Sequence, residues 1–248
     1  MLHSSFKPSL NKMKKAVVIA FVFMLSAIHV NAQVKFTEGV IIFKVDSILS
    51  HKRPIDSSSV SVSEIRLYKK NNLRRMDIIS PPSTSLSPSY VITQILNEEG
   101  MYLVIDSPLF DSSRKSATFE TIEELEQRPA HFAISGKITH CTYRETSKKT
   151  IVLGTQVETV YRAEKDPDRT WKLLVAKNID TSFGLFLPEY QKLTGTPLEF
   201  YFDDNNIELL HLTAQSIIEK AIDDALFTIG PEFDILPSET KISPSKKN

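Results

Sequence analysis

The sequence predicts a mainly β protein of the α+β kind, built on one large antiparallel sheet. We expect the sheet to be curved, or half-open as a β-barrel, with one or two short helices as a lid. Three observations predict this fold. Short β-branched and aromatic runs recur along the chain, polar turns join neighbouring runs into hairpins, and neither a βαβ rhythm nor a solenoid repeat is present. Ten to eleven strands are expected.

The first half of the chain supplies one strand, two hairpins and a helix. Residues 34–47 open with alternation and continue as an apolar run, which is typical of a first strand. Two hairpins follow, with strands at 64–69 and 73–80 and then at 90–96 and 101–106. The intervening residues read as a polar linker, a proline-serine loop and a short helix, at 51–61, 81–88 and 120–128.

The second half repeats the strand pattern. Strands are expected at 132–144, 151–163 and 170–178, and a third hairpin at 197–202 and 207–217 around the turn 203–206. The apolar stretch 183–193 contains Pro188, so we expect at best a short or broken helix there. A last edge strand is expected from residues 225–229 and 233–236, and the charged, serine-rich end at 238–248 is predicted to be disordered.

The N-terminal residues have the three parts of a secretory signal. Lys12, Lys14 and Lys15 precede an uncharged apolar run at 16–28, and Val30 and Ala32 stand at positions −3 and −1 of a cut before residue 33. A membrane-spanning helix needs about 20 apolar residues, and this run is shorter. We therefore predict a signal peptide at 1–32, one β-rich domain at 33–237 and a tail at 238–248.

The predicted signal places the protein outside the cytoplasm. We expect it in the periplasm, associated with the outer membrane or outside the cell, without a transmembrane anchor in the mature chain. Translation from Met1 and translation from Met13 both fit this interpretation. Cys141 is the single cysteine of the chain, so no intrachain disulfide forms, and no cysteine near the cut could accept a lipid.

The charge of the mature chain argues against nucleic acid as a partner. Four of the 30 basic residues, all lysines, leave with the signal, so 26 basic side chains face 30 acidic ones. The signs are interspersed along the chain, whereas a nucleic-acid binder shows a basic surplus on one face. We expect a monomer.

Metal and cofactor chemistry finds little support in the residue pattern. The mature chain keeps His51, His131, His140 and His211, and no pair of them has the i, i+4 spacing of a helical metal site. His140 and Cys141 are adjacent on a predicted strand, so their side chains point to opposite faces. No metal and no cofactor are therefore predicted.

Catalytic motifs are equally scarce. Cys141 could act as a nucleophile with His131 or His140 as its base, but nothing in the sequence sets the hydrogen-bonded geometry that such a pair needs. The acidic pairs at 98–99, 123–124 and 203–204 are explained by turns and a helix surface. An enzyme is the least favoured class, and no catalytic residue is predicted.

Alternating apolar side chains mark the candidate ligand face. A concave sheet face that holds an apolar ligand would use large aromatic and aliphatic residues on the same side of neighbouring strands. An ordinary protein core would use the same residue types. The candidate residues are Tyr102, Val104, Trp171, Leu173, Val175, Leu198, Phe200 and Phe202.

Several segments together resemble the exported GLPGLI-like proteins of Bacteroidetes-type bacteria. They are residues 36–41 (FTEGVI), the pair 90–96 and 101–106, residues 134–137 leading to Cys141, the strand 171–177, and residues 193–198. In the last segment the chain reads Thr-Gly-Thr-Pro where those proteins carry their glycine-proline signature. The GLPGLI-like proteins are similar in turn to the LolA-like superfamily of lipoprotein carriers and lipid binders.

The resemblance implies an open antiparallel half-barrel covered by short helices, with an apolar pocket between. The helix at 120–128 and the stretch 183–193 would be the lid. Our first hypothesis is thus an exported protein that binds a lipid or other apolar ligand non-covalently. The alternative is a structural or protein-interaction module of the cell envelope without a ligand, and an enzyme of unknown type comes third.

Overall fold

The computed structural model describes residues 36–49, 62–82, 89–106, 115–127, 141–165, 168–204 and 208–237. Contacts divide the chain into residues 1–35 and 36–248, and every described residue belongs to the second unit. The predicted signal at 1–32, the linker at 51–61 and the tail at 238–248 lie outside the described residues. Among the described residues, no helix has the length and apolar character needed to cross a membrane.

Twelve strands of the described chain form one large, open, curved sheet, which confirms the mainly β prediction with a strand more than expected. The strands are β1 Glu38–Leu49, β2 Glu64–Lys70, β3 Leu73–Ser80, β4 Tyr90–Leu96, β5 Gly100–Asp106, β6 Lys115–Thr121, β7 Cys141–Val152, β8 Thr155–Lys165, β9 Asp168–Ala176, β10 Thr196–Asp204, β11 Glu208–Glu219 and β12 Phe233–Pro237. The helices are α1 Ile122–Gln127 and α2 Phe183–Phe186, with 3₁₀ turns η1 Pro188–Tyr190 and η2 Asp224–Phe227.

The first strand lies in the middle of the sheet. The order across the sheet is β12-β6-β5-β4-β3-β2-β1-β11-β10-β9-β8-β7, so β1 joins two antiparallel meanders. Its partner β11 comes from the far end of the chain, and Gly39 pairs with Glu219. After β11 the chain crosses to the opposite edge, where β12 pairs with β6 in parallel. Apart from β6–β12, the described strand pairs are antiparallel.

The sheet packs side chains on both faces. On the face that we call the core face, Ile65 and Leu67 of β2 and Met76 of β3 belong to the main hydrophobic core. On the other face, a smaller cluster joins Ile95 of β4 to Phe227. Phe227 belongs to residues 220–232, which connect β11 to β12 and which we call the strap. The two clusters follow from the alternation of side chains along each strand.

Close approach of the chain at the centre of the sheet requires glycine at position 39. A Cβ atom there would lie 2.2 Å from the carbonyl oxygen of Ile218 and 2.9 Å from the ring of Phe36. The φ angle of Gly39 is 151°, which side chains other than glycine rarely adopt. Substitution would therefore push apart β1 and β11, the pair that joins the two meanders.

The first two predicted hairpins are present, as β2–β3 and β4–β5, and the third is β10–β11. The apolar stretch with Pro188 is a broken helix, as expected, because α2 ends before the proline and η1 begins at it. The predicted helix at 120–128 is the shorter α1.

Three segments differ from expectation. The strand predicted at 151–163 is interrupted by a turn at Leu153 and Gly154, whose φ angles of 50° and 77° are both positive, as in a tight hairpin turn. Residues 225–229 form the end of η2 and the residues after it rather than a strand, and Phe227 of η2 is buried in the smaller cluster. Asp203 and Asp204 extend β10 instead of starting the turn. Most of the strand predicted at 132–144 lies outside the described residues.

Candidate functional site

Five of the eight predicted ligand-binding residues lie together in the main core. Leu173 and Val175 of β9 and Leu198, Phe200 and Phe202 of β10 are each at most 3 % exposed. They are packed by side chains of the chain itself, so a ligand would have to replace some of these contacts. The prediction that this face binds an apolar ligand stays a prediction.

The segment from α2 to η1, residues 183–190, lies over these strands and carries aromatic side chains; we call it the cover. The rings of Phe183 from α2 and Tyr190 from η1 meet the ring of Phe200 edge-on, with centroids 5.0 and 6.0 Å away. Phe43 of β1 meets the same ring at 5.2 Å. Phe200 is therefore the point at which the central strand, β10 and the cover come into contact.

Trp171 makes different contacts from the other candidates. Its ring packs against Tyr201 at 4.7 Å, and Tyr201 in turn stacks on His211 at 4.8 Å. The indole Nε1 is buried and has no hydrogen-bond partner among the described residues. Beyond Glu199, β10 no longer pairs with β9 in the described register, and the Trp171 side chain lies where the two strands separate.

Tyr102 and Val104 lie on the opposite face of the sheet. The register pairs Tyr102 with Ile95, and both belong to the smaller cluster under the strap. The ring of Tyr102 packs on Phe119 at 4.7 Å and its hydroxyl donates to Glu99 at 2.7 Å. The eight candidates thus do not form one surface, because the sequence pattern gives the face of each strand but not which faces come together.

The buried Arg162 lies beside the cover, and each nitrogen of its guanidinium has a partner. Arg162 of β8 donates from Nε to Cys141 Sγ at 3.2 Å and from Nη1 to the Tyr190 hydroxyl at 3.2 Å. Its Nη2 is paired with Glu164 at 2.8 Å. The guanidinium also lies over the Tyr190 ring, 4.9 Å from its centroid. Four neighbouring groups therefore share this charge.

Tyr190 ties the cover to the gap between β9 and β10. Its hydroxyl donates to the carbonyl of Tyr201 and accepts from the amide of the same residue at 3.0 Å. The Tyr190 side chain thus forms the hydrogen bonds to the Tyr201 backbone that a neighbouring strand would otherwise form. Tyr143 of β7 adds a further tie, because its hydroxyl donates to the carbonyl of Glu189.

Burial shifts the proton affinities of this cluster. It raises the pKa of the Tyr190 hydroxyl, although Arg162 opposes the shift, and it raises the pKa of the Tyr143 hydroxyl in the same way. Burial alone would lower the pKa of the Arg162 guanidinium, but Tyr190, Cys141 and other neighbours raise it above its ordinary value. The cluster therefore holds neutral tyrosines around a fixed positive charge.

A second buried cationic site lies on the core face of β2 and β3. Lys69 and Arg74 face each other across the two strands, and both donate to the backbone carbonyl of Asp180, from Lys69 Nζ at 2.7 Å and from Arg74 Nη2 at 3.3 Å. Burial lowers the pKa of the Arg74 guanidinium, against an opposing effect of the Asp180 carboxylate. The loop that starts at Asp180 leads directly into α2.

The sequence pattern contained a signal for both cationic sites that the sequence analysis did not use. Lys69 is in phase with the core residues Ile65 and Leu67, and Arg74 is in phase with Met76. Arg162 is likewise in phase with the core residue Val160. A cation on the apolar side of an alternating strand is expected to be buried.

The residues considered for catalysis or metal binding do not assemble into a site in the described chain. Cys141 is partly exposed and contacts Arg162 rather than a described histidine, while His131 and His140 lie outside the described residues. His211 lies between Asp46 and Glu199, each 3.2 Å from one of its ring nitrogens. Among the described residues, no group of three or more histidine, cysteine or acidic side chains has a metal-binding arrangement.

No protein-family model matches the chain, and no curated protein matches its sequence. Two solved structures of PNGF-II, in the C2 and P21 space groups, share 14 % and 12 % identity with it. Each covers 82 % of this chain at a TM-score of 0.42, whereas this chain spans 31 % and 32 % of PNGF-II. A likeness at this level carries no argument about function.

Proposed function

We propose that the chain is an exported protein of the cell envelope whose core face binds a lipid or other apolar ligand non-covalently. The observation that supports this proposal is the cover of β9 and β10. A four-residue helix and a three-residue 3₁₀ turn, broken at Pro188, lie over the aromatic core residue Phe200. The cover contains little helical structure of its own, and its displacement would open an apolar face.

The physical reason is that so short a helix has no stability of its own. Isolated helices shorter than about 12–15 residues are marginal in water, and the residue before α2, Ser182, makes no side-chain cap. The cover is therefore held by the contacts of Phe183, Phe186 and Tyr190 with the sheet. An acyl chain could replace apolar contacts of this kind, since burial contributes about 25 cal/mol per Å² of apolar surface.

The test is to extract lipid from the protein after purification from its own cells. We expect acyl lipid in near-stoichiometric amount by mass spectrometry of the extract. A matched pair of variants places the ligand, because Phe200→Ala alters the core face under the cover, whereas Phe227→Ala alters the cluster under the strap. Only the first should change the amount of bound lipid. Folded, exported protein that carries no lipid would overturn the proposal.

Export is tested separately. We expect the protein in the periplasmic or extracellular fraction, with a mature N-terminus at Gln33, by fractionation and N-terminal sequencing. A cytoplasmic protein that retains residues 1–32 would contradict the proposed export to the cell envelope.

A second candidate is an interaction module of the envelope, favoured by the edges of the sheet. In the described chain the sheet ends at β7 and β12, and each edge exposes apolar side chains, namely Ile151 at 65 % and Leu236 at 48 %. Exposed edge strands are templates for pairing with another chain. Cross-linking in intact cells should then yield a defined partner, and Ile151→Lys should abolish it. A ligand-free monomer without cross-links would exclude this function.

A further inference from the structure

The hairpin formed by β7 and β8 ends in a turn that carries two exposed apolar side chains. Ile151 is 65 % exposed and Leu153 is 47 % exposed, and neither belongs to the two described hydrophobic clusters. Val152, which lies between them, packs against the main core instead. The described fold therefore makes little use of the apolar surface of Ile151 and Leu153, and a partner outside the chain would gain from burying it.

This end of the hairpin extends beyond the neighbouring strand. β8 pairs with β7 from its first residue, Thr155, whereas its described pairing with β9 begins only at Glu158. Residues 149–157 therefore form a two-stranded ribbon. A Cβ atom added to Gly154 would meet no atom of the described chain within 4 Å, so the turn at the end of the ribbon lies in open space.

Leu153 has a backbone conformation that is unfavourable for leucine. Its φ angle is 50° and that of Gly154 is 77°, as in the hairpin turns that favour asparagine followed by glycine. Leucine loses more stability than asparagine in this left-handed region. The turn alone would thus favour asparagine at position 153. Backbone outliers of this kind cluster at functional positions, and this one holds an apolar side chain at the end of the hairpin.

Two lysines lie next to these apolar side chains. Residues 146–157 contain Lys148 and Lys149 and no acidic residue. Lys148 is exposed, and the Lys149 side chain remains 55 % exposed although its Nζ lies 3.5 Å from Glu158. Apolar side chains beside lysines fit the surface of an anionic bilayer, where charged headgroups lie directly above the acyl chains.

The opposite edge of the sheet has similar apolar exposure but a different charge. Leu236 of β12 is 48 % exposed. The segment 232–237 around it contains two acidic residues and no basic one, and Lys115 on the paired strand β6 offsets only part of this charge. The end of the β7–β8 hairpin therefore combines apolar exposure with positive charge, and β12 provides a matched control.

We infer that the end of the β7–β8 hairpin docks on the surface of an anionic lipid bilayer. Ile151 and Leu153 enter the boundary between headgroups and acyl chains, while Lys148 and Lys149 contact the anionic headgroups. The attachment is peripheral and reversible, because two apolar side chains bury only a small area. Docking needs no ligand at the core face, so this inference goes beyond the function proposed above.

Sedimentation with vesicles tests the docking. The protein, purified from its own cells, is mixed with vesicles of phosphatidylcholine alone or of equal parts phosphatidylcholine and anionic phosphatidylglycerol. We expect partitioning into the anionic vesicles to be at least about tenfold stronger, since each lysine near an anionic surface contributes about fivefold. High salt should remove this difference by screening the charges. Protein that partitions equally into both kinds of vesicle, or into neither, would overturn the inference.

A pair of leucine variants then assigns the docking to the hairpin. In Leu153→Asn, partitioning into the anionic vesicles should fall about fivefold or more, because an apolar side chain no longer enters the bilayer. Stability in urea should be unchanged or higher, because asparagine suits the positive φ angle. Leu236→Asn removes an equally exposed leucine and should leave partitioning unchanged. Equal partitioning of the two variants, or a loss of stability in Leu153→Asn, would contradict the docking role of Leu153.

A charge variant completes the test. Lys148→Gln combined with Lys149→Gln should bring partitioning into anionic vesicles to within about twofold of that into neutral ones. A preference for anionic vesicles that survives this double substitution would place the docking surface elsewhere on the chain. Cross-linking of Ile151 to a protein, without vesicle binding, would assign the end of the hairpin to a protein partner and overturn the inference.

Discussion

Arg162 and Arg74 are both buried arginines in contact with the main core of one sheet, yet their surroundings differ. Every nitrogen of the Arg162 guanidinium has a partner, including the carboxylate of Glu164. Arg74 reaches only backbone carbonyls with Nη1 and Nη2 and leaves Nε without a partner among the described residues. The exposed fractions of the two residues are similar, at 5 % for Arg74 and 4 % for Arg162, but the groups that contact each charge differ.

The pKa values of the two guanidinium groups are shifted in opposite directions. Neighbouring groups raise the pKa of the Arg162 guanidinium above its ordinary value, against the effect of burial. Burial dominates at Arg74 and lowers its pKa, against the effect of Asp180. Every nitrogen of the Arg162 guanidinium is thus satisfied within the fold, whereas Arg74 keeps one buried nitrogen without a partner among the described residues.

The largest effect should come from removing the satisfied arginine. Arg162→Met leaves the Glu164 carboxylate, whose side chain is 11 % exposed, without its cation and removes a donor to Tyr190, so we expect a loss of about 3–5 kcal/mol in the free energy of unfolding. Urea unfolding measures it, with Lys172→Gln as an exposed control that should change little. A loss below about 1 kcal/mol would contradict the assigned role.

Removing the hydroxyl of Tyr190 should cost less. Tyr190→Phe keeps the ring against Phe200. It leaves the amide and carbonyl of Tyr201 and one donor of Arg162 without their hydrogen-bond partner. Buried groups left without partners cost about 1–3 kcal/mol each before relaxation, so we expect a net loss of about 2–3 kcal/mol. The same urea titration measures it. A neutral outcome would show that water replaces the hydroxyl between β9 and β10.

Alkaline pH should weaken the region around Arg162 selectively. The pKa values of the Tyr143 and Tyr190 hydroxyls are raised above the ordinary 10.0 in the folded protein. The unfolded chain then binds fewer protons above about pH 10, so stability is full below that pH and falls above it, by about 1.4 kcal/mol per pH unit for each tyrosine.

Unfolding at a series of pH values from 8 to 11 checks this slope. Tyr143→Phe should reduce the slope above about pH 10 without changing stability at pH 8 by more than about 1–2 kcal/mol. An identical slope in the variant would contradict the shifted pKa of Tyr143.

The smallest effect is expected at the other arginine. Arg74→Met removes a charge that has no described carboxylate bonded to it, and an apolar side chain of similar length suits the neighbouring Leu96. We expect the free energy of unfolding to change by less than about 1 kcal/mol, or to rise. Urea unfolding of Arg74→Met and of Arg162→Met measures the two changes in the free energy of unfolding side by side. A loss as large as that of Arg162→Met would show that both arginines are structural.

The strands could be predicted because their alternation is local. Residues 64–69 and 73–80 were assigned from sequence and form β2 and β3. The pairing of β1 with β11 and the parallel approach of β12 to β6 depend on contacts between distant segments, for which a single sequence holds no local signal. The turn at Leu153 was missed because leucine is not a residue that favours positive φ.

The candidate site was predictable only in part, for the same reason. Leu173 and Phe200 were correctly assigned to the same kind of apolar strand face, but the sequence did not reveal that Phe183 and Tyr190 cover them. Nor did it reveal that Arg162 and Tyr190, far apart on the chain, form a hydrogen bond. Side-chain partners across the sheet are decided by its curvature and by the placement of the cover.

The central position of β1 has a consequence for the order of folding. The strand that begins at Glu38 is the first of the domain to be synthesised, yet one of its neighbours is β11, which ends at Glu219. The two meanders therefore cannot be joined until nearly the whole chain has left the ribosome, and such long-range pairings form slowly. If the chain is exported as proposed, this late pairing would keep the sheet incomplete while the polypeptide passes through a translocation channel that admits only unfolded chains.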